Sequence, residues 1–95
     1  MLVRVENGVA RLDGPRDFTA LSLVADPGDP ALTELGVWVD EEHLVVPSER
    51  LASLAGGIAD ELGWRQDFAK MLDYARGKGW VDDAGGVRLH VRRQG

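Results

Sequence analysis

The sequence predicts a single α+β domain over residues 1–95: a small antiparallel sheet built from hairpins, with two main helices, about 48–62 and 64–78, packed on one face. Three observations lead there. Short alternating apolar runs flank polar turns near both ends and in the middle of the chain. Two apolar stripes of helical period follow one another between residues 51 and 75. The 95 residues contain no internal repeat and no low-complexity linker, so the chain has one domain's length. At that size only about 60–65% of the unfolded surface can be buried, and the core is thin. With no cysteine in the sequence, packing or a partner subunit must supply the stability that a disulfide would otherwise give.

The first hairpin is the clearest element. Asn7-Gly8 suits a type I′ turn because both central residues need φ > 0. That turn sets Val5 opposite Ala10 and Val3 opposite Leu12 on one apolar face. It also sets Arg4 opposite Arg11 on the other, a like-charge pair that needs an acid such as Glu6 or Asp13 nearby. Gly14-Pro15 then breaks the chain. Residues 18–25 fit strand alternation or a short helix capped by Asp17, and strand is the preferred reading. In "DPGDPALTELG", Asp29 serves as N-cap, Pro30 as the first helical residue and Gly36 as the C-terminal stop of a short helix. Val37 to Val39 and Leu44 to Val46 make a second hairpin around "DEEH".

Pro47-Ser48 opens the main helical region, with Ser48 as N-cap. Leu51, Leu54, Ala55, Ile58, Ala59 and Leu62 recur at helical spacing and form a core-facing stripe. Gly56-Gly57 interrupts it, at roughly 1 kcal/mol per glycine relative to alanine. After Gly63 a second stripe runs through Trp64, Phe68, Met71, Leu72 and Ala75, and Gly77 and Gly79 end it. Trp64 and Trp80 bracket that stripe and are expected to be core anchors. The last hairpin pairs Trp80-Val81 with Val87, Leu89 and Val91 around "DDAGG".

Eleven Lys and Arg stand against sixteen Asp and Glu, a net charge of −5, which opposes nonspecific polyanion binding by the whole surface. The imbalance is regional. Residues 1–63 carry four basic and twelve acidic side chains, whereas residues 64–95 carry seven basic and four acidic ones. The preference for Arg, Ala, Gly, Val and Asp over Lys, Ile and Asn points to a GC-rich, bacterial genome. The N-terminal stretch lacks the apolar core of a signal peptide, and no apolar run approaches the ~20 residues of a membrane span. A cytoplasmic protein with no membrane contact is the expectation.

The order helix, turn, helix, hairpin across residues 48–91 resembles that of a winged-helix DNA-binding domain, which implies a recognition helix at 64–78 and a wing at Gly79 to Arg93. The chemistry fits less well. The face of that helix opposite its apolar stripe holds Gln66, Ala69, Lys70, Asp73 and Gly77, and Asp73 at its centre repels phosphate. The hairpin is more favourable, because Arg88, His90 and Arg92 alternate with Val87, Leu89 and Val91 and share one exposed face. Arg65 and Arg76, on one edge of the helix, would extend that patch. The same row suits an edge strand kept from pairing by its charge, or a docking patch for an acidic partner, including the acidic half of a second copy.

The inventory for catalysis is poor: two histidines, no cysteine, and serines only at Ser22, Ser48 and Ser53. Asp40 to His43 and Asp82-Asp83 read as hairpin turns, lacking the companions that a zinc or EF-hand site needs. No glycine pattern makes a phosphate cradle. The sequence therefore points to a noncatalytic interaction or regulatory module with no cofactor or metal. Its partner is a protein or a second copy, and its partner-binding residues are Arg88, His90, Arg92, Arg65 and Arg76.

Overall fold

Asn7 and Gly8 take φ of 52° and 79° and turn β1 (Leu2–Glu6) back onto β2 (Val9–Asp13) in the computed structural model, which describes residues 1–93. The register pairs Val3 with Leu12, Val5 with Ala10 and Arg4 with Arg11. Arg4 donates from Nε to Asp13 at 3.0 Å and lies 3.6 Å from Glu6, so the paired arginines have the acids they need.

The chain continues through β3 (Ser22–Ala25), α1 (Ala31–Leu35), β4 (Val37–Trp38) and β5 (His43–Pro47). It then forms α2 (Ser48–Leu54), a 3-10 segment (Gly56–Asp60), α3 (Leu62–Gly77) and β6 (Gly86–Arg92). Asp29 accepts from the Ala31 amide at 2.9 Å and so caps α1, and its second oxygen accepts from Gly8 at 3.1 Å, tying the first turn to the helix. The β4–β5 hairpin pairs Val37 with Val45 and Trp38 with Leu44.

The α+β class holds, but the sheet is not purely antiparallel. Six strands lie in the order β2-β1-β3-β6-β5-β4, with β1/β3 and β3/β6 parallel and the remaining pairs antiparallel. Both parallel pairs join strands distant in sequence, and no local turn signal reports such neighbours. The sheet also curls. α2 packs against β2 and β5, and α1 against β2, β4 and β5, so the two ends of the sheet approach the same short helices. Those helices cover strands that would otherwise present bare edges.

Burial alternates along every long strand. Val3, Val5, Leu23, Ala25, Leu44, Val46, Val87, Leu89 and Val91 are buried, and they share one core with Leu32, Leu35, Leu51, Ala52, Trp64 and Phe68. The first long helix is shorter than its stripe. Gly56 takes φ +63°, which breaks α2 and hands the chain to the 3-10 segment. The altered phase turns Leu62 out, 74% exposed, although its spacing placed it in the core. Ser48 is the first residue of α2 and no side chain caps that helix; the Ser48 amide instead donates to the Gly85 carbonyl at 2.9 Å. Residues 18–21 are loop, and only 22–25 become strand. Among the described residues no helix is long and apolar enough to cross a membrane.

Candidate functional site

β6 lies inside the sheet between β3 and β5, so it is neither an edge strand nor one arm of a free wing. The expected last hairpin shrinks to one bridge, Val81 to Val87, with the Arg88 amide donating to the Trp80 carbonyl at 2.8 Å. Arg88, His90 and Arg92 are nevertheless exposed on a single side of β6, as the alternation requires, while Val87, Leu89 and Val91 face the core.

Sheet registers bring further residues to that side which the sequence pattern along one strand could not show. His43 of β5 pairs with His90, Val45 with Arg88, and Val24 of β3 with Arg92; Arg4 of β1 pairs with Val24 and Arg11 of β2 with Arg4. The result is a face across five strands that gathers Arg4, Arg11, Arg88, Arg92 and the two histidines, with Glu6 and Asp13 paired to Arg4 and Arg11, and with Leu2, Val24 and Val45 half-buried among them. Long-range pairing joined its parts, of which the sequence showed two separately: the alternation of Arg88, His90 and Arg92, and the Arg4–Arg11 register of the first hairpin.

Its charges are partly compensated. His43 Nδ1 lies 2.9 Å from Asp40 Oδ1, and Arg88 Nη2 lies 3.9 Å from Asp40 Oδ2. The Asp40 carboxyl is held below its ordinary range, first by the amide of Glu42 and then by His43. The imidazoles of His43 and His90 sit 5.2 Å apart, tilted by 33°. Among the described residues the Arg92 guanidinium has no ion-pair partner.

Arg65 and Arg76 do not join this face. Arg65 donates to the Ala59 carbonyl at 2.9 Å and pairs with Glu49 at 3.2 Å, which braces α3 against the 3-10 segment and α2. Arg76 pairs with Asp73 at 3.0 Å along its own helix. Both belong to the helical layer, where the i, i+3 and non-local acids absorb them.

Trp64 is a core anchor at 2% exposure, but Trp80 is 49% exposed. Trp64 stacks on Phe68 at 4.7 Å, meets Phe18 at 5.8 Å and donates Nε1–H to the Pro15 carbonyl at 2.7 Å. These contacts hold the loop 14–21 beside α3. Bidentate Arg16–Glu61 bonds of 3.0 and 2.9 Å and two bonds from the Met1 backbone nitrogen to the Asp17 and Ala20 carbonyls brace it further. Between loop and helix is a hollow of about 110 Å³ lined by Phe18, Leu21, Met71, Tyr74, Ala75 and Trp80 among others. It opens beside His43, Arg88 and His90.

Ser22 precedes the Leu23–Val91 pair and so neighbours His90, but among the described residues no hydrogen bond joins them, and the imidazoles of His43 and His90 meet at a tilt. No group of three His, Asp or Glu side chains among the described residues is placed to hold a metal ion. Comparison with protein-family models, curated proteins and solved structures gives no match.

Proposed function

We propose that the protein is a noncatalytic interaction module that docks an acidic surface of a protein partner on the open face of its sheet, through Arg88, His90 and Arg92 with Arg4, Arg11 and His43. The observation that carries this reading is the convergence of six basic side chains and three half-buried apolar ones on one side of the strands. A charged rim around apolar contacts is the usual anatomy of a protein interface. A second copy also offers an acidic surface, since residues 1–63 carry twelve Asp and Glu.

A flat or outward-curving sheet face does not enter a major groove, and the helix that a winged domain would insert carries Asp67 and Asp73 on its exposed side. Duplex DNA should therefore bind no tighter than roughly 10⁻⁴ M at physiological salt, the weak end of nonspecific affinity. The test sets wild type beside the double variant Arg88→Ala, Arg92→Ala. Fluorescence titrations use a labelled peptide of alternating Asp and Ser and a labelled duplex, each at low and physiological salt, and sedimentation reports self-association. Peptide binding or self-association lost in the double variant supports docking. Submicromolar, salt-sensitive binding of the duplex, lost in the same variant, would make the protein a DNA binder instead.

A further inference from the structure

We infer that the cleft between the loop 18–21 and α3 receives one bulky apolar side chain of the partner, carried on an extended segment whose neighbouring acidic residues reach the histidines and Arg88. The inference rests on the docking reading and adds a place and a sequence preference to it.

Three hollows run together along this side of the molecule. The middle one, about 110 Å³, is walled chiefly by Phe18, Leu21, Met71, Ala75 and the rings of Tyr74 and Trp80, and it is sized for a single side chain. At one end it shares Leu21, Trp80, Arg88 and Leu89 with an opening of about 360 Å³ that His43 and His90 also border. At the other it shares Phe18, Met71 and Tyr74 with a hollow of about 370 Å³ beside Asp67 and Lys70. Hollows that share walls in this way, with the apolar one between the other two, suit an extended chain better than a helix, whose diameter with side chains is about 10–12 Å.

The walls are only partly covered by the fold, Tyr74 carrying the Lys78 ammonium 5.5 Å from its ring centre. Tyr74 is 65% and Trp80 49% exposed, although apolar neighbours lie beside both. Large aromatic rings beside a pocket are the residue types that dominate interface energetics when a partner covers them. Charge fixes the polarity of the segment. The end at β6 presents the Arg88 guanidinium, 3.9 Å from Asp40, with the ring nitrogens of His43 and His90 as further hydrogen-bonding groups for a carboxylate, whereas the far end holds Lys70 and Asp67 together. Acidic residues of the partner therefore belong on the β6 side of the anchor.

The loop wall is rigid enough to select. The Phe18–Trp64–Phe68 ladder and the Trp64–Pro15 hydrogen bond fix it before any partner arrives, which lowers the ordering cost of binding.

The experiment compares three labelled peptides against the folded protein: alternating Asp and Ser with a central Phe, the same peptide with Ser at the centre, and the Phe peptide with Lys for Asp. The Phe-containing acidic peptide should bind at least about tenfold more tightly than its Ser counterpart, the contribution of one well-buried anchor. Trp80→Ala and Met71→Glu should each remove that advantage while keeping the weaker acidic binding, whereas Arg88→Ala with Arg92→Ala should remove the acidic component. Methyl resonances of Leu21 and Met71 in the wild-type protein should shift with the Phe peptide alone, a readout that does not depend on any variant folding. Equal affinity for the two acidic peptides would overturn the anchor and leave the docking face standing. No binding of either would overturn both, and tighter binding of the Lys peptide would overturn the charge assignment.

Discussion

Gly36 shows how narrowly a single residue can be specified. A Cβ there would run into the Val45 carbonyl oxygen, a backbone atom that cannot swing aside. Gly36→Ala should therefore separate α1 from β5 and cost about 2–3 kcal/mol in urea unfolding, the range of core overpacking. Phe68, 3% exposed and stacked on Trp64, should cost about 3–5 kcal/mol as Phe68→Ala because the hollow cannot collapse against a paired sheet. Acid response is also decided residue by residue. Asp17 is held below its ordinary 3.8 first by the Thr19 hydroxyl, Asp40 first by the Glu42 amide, and Glu61 below 4.5 first by the Arg16 guanidinium. A carboxyl with a depressed native value stabilises the fold above its unfolded value and loses that contribution as pH falls through the native one. The urea midpoint should stay level near pH 6 and decline below about pH 4, and Glu61→Gln should flatten part of that decline.

Among the elements, the α2 to 3-10 junction separates two glycines that look alike in sequence. Gly56 sits at φ +63° with open space around it, and Gly57 has no positive φ and equally open space. Gly56→Ala should destabilise by about 1 kcal/mol through backbone strain alone, while Gly57→Ala should be neutral or stabilise by about 0.4–1 kcal/mol by restricting the unfolded chain. Equal effects in thermal unfolding would mean that the break lies elsewhere. β6 shows the reverse separation, between stability and binding. Its exposed Arg88 and Arg92 contribute little to folding, so the double alanine variant should keep its stability within about 0.5 kcal/mol per site, and under the docking proposal it should lose binding of the acidic peptide. The first hairpin was legible down to its register, because Asn7-Gly8 and the alternation around it act within twelve residues.

At the scale of the whole molecule, β6 is the last strand made and one of the innermost. The sheet cannot be completed until residues 86–92 insert between β3 and β5, so folding waits on contacts spanning most of the chain. Amide exchange should be slowest in β3, β5 and β6 together, and truncation before Gly86 should abolish cooperative unfolding. A stable, cooperative domain lacking β6 would contradict that picture. The curl of the sheet around α1 and α2 also divides the surface. The buried residues of the strands share one core with those of the helices, while Arg88, His90 and Arg92 stay exposed.

By itself the sequence determined the α+β class, the first two hairpins, the short capped helix, the stripe of α3 and the alternation that turns Arg88, His90 and Arg92 away from the core, because each is set by interactions within a few residues. Tertiary structure alone decided the parallel pairing of β1, β3 and β6, the placing of β6 inside the sheet, and the partnership of His43 with His90. It also turned Trp80 and Leu62 outward and committed Arg65 and Arg76 to the helical layer. The physical reason is common to all of them. Periodicity states which side of an element is apolar, but which element comes to lie against it is settled by competition among distant surfaces for a thin core, and that competition is won only in the assembled fold.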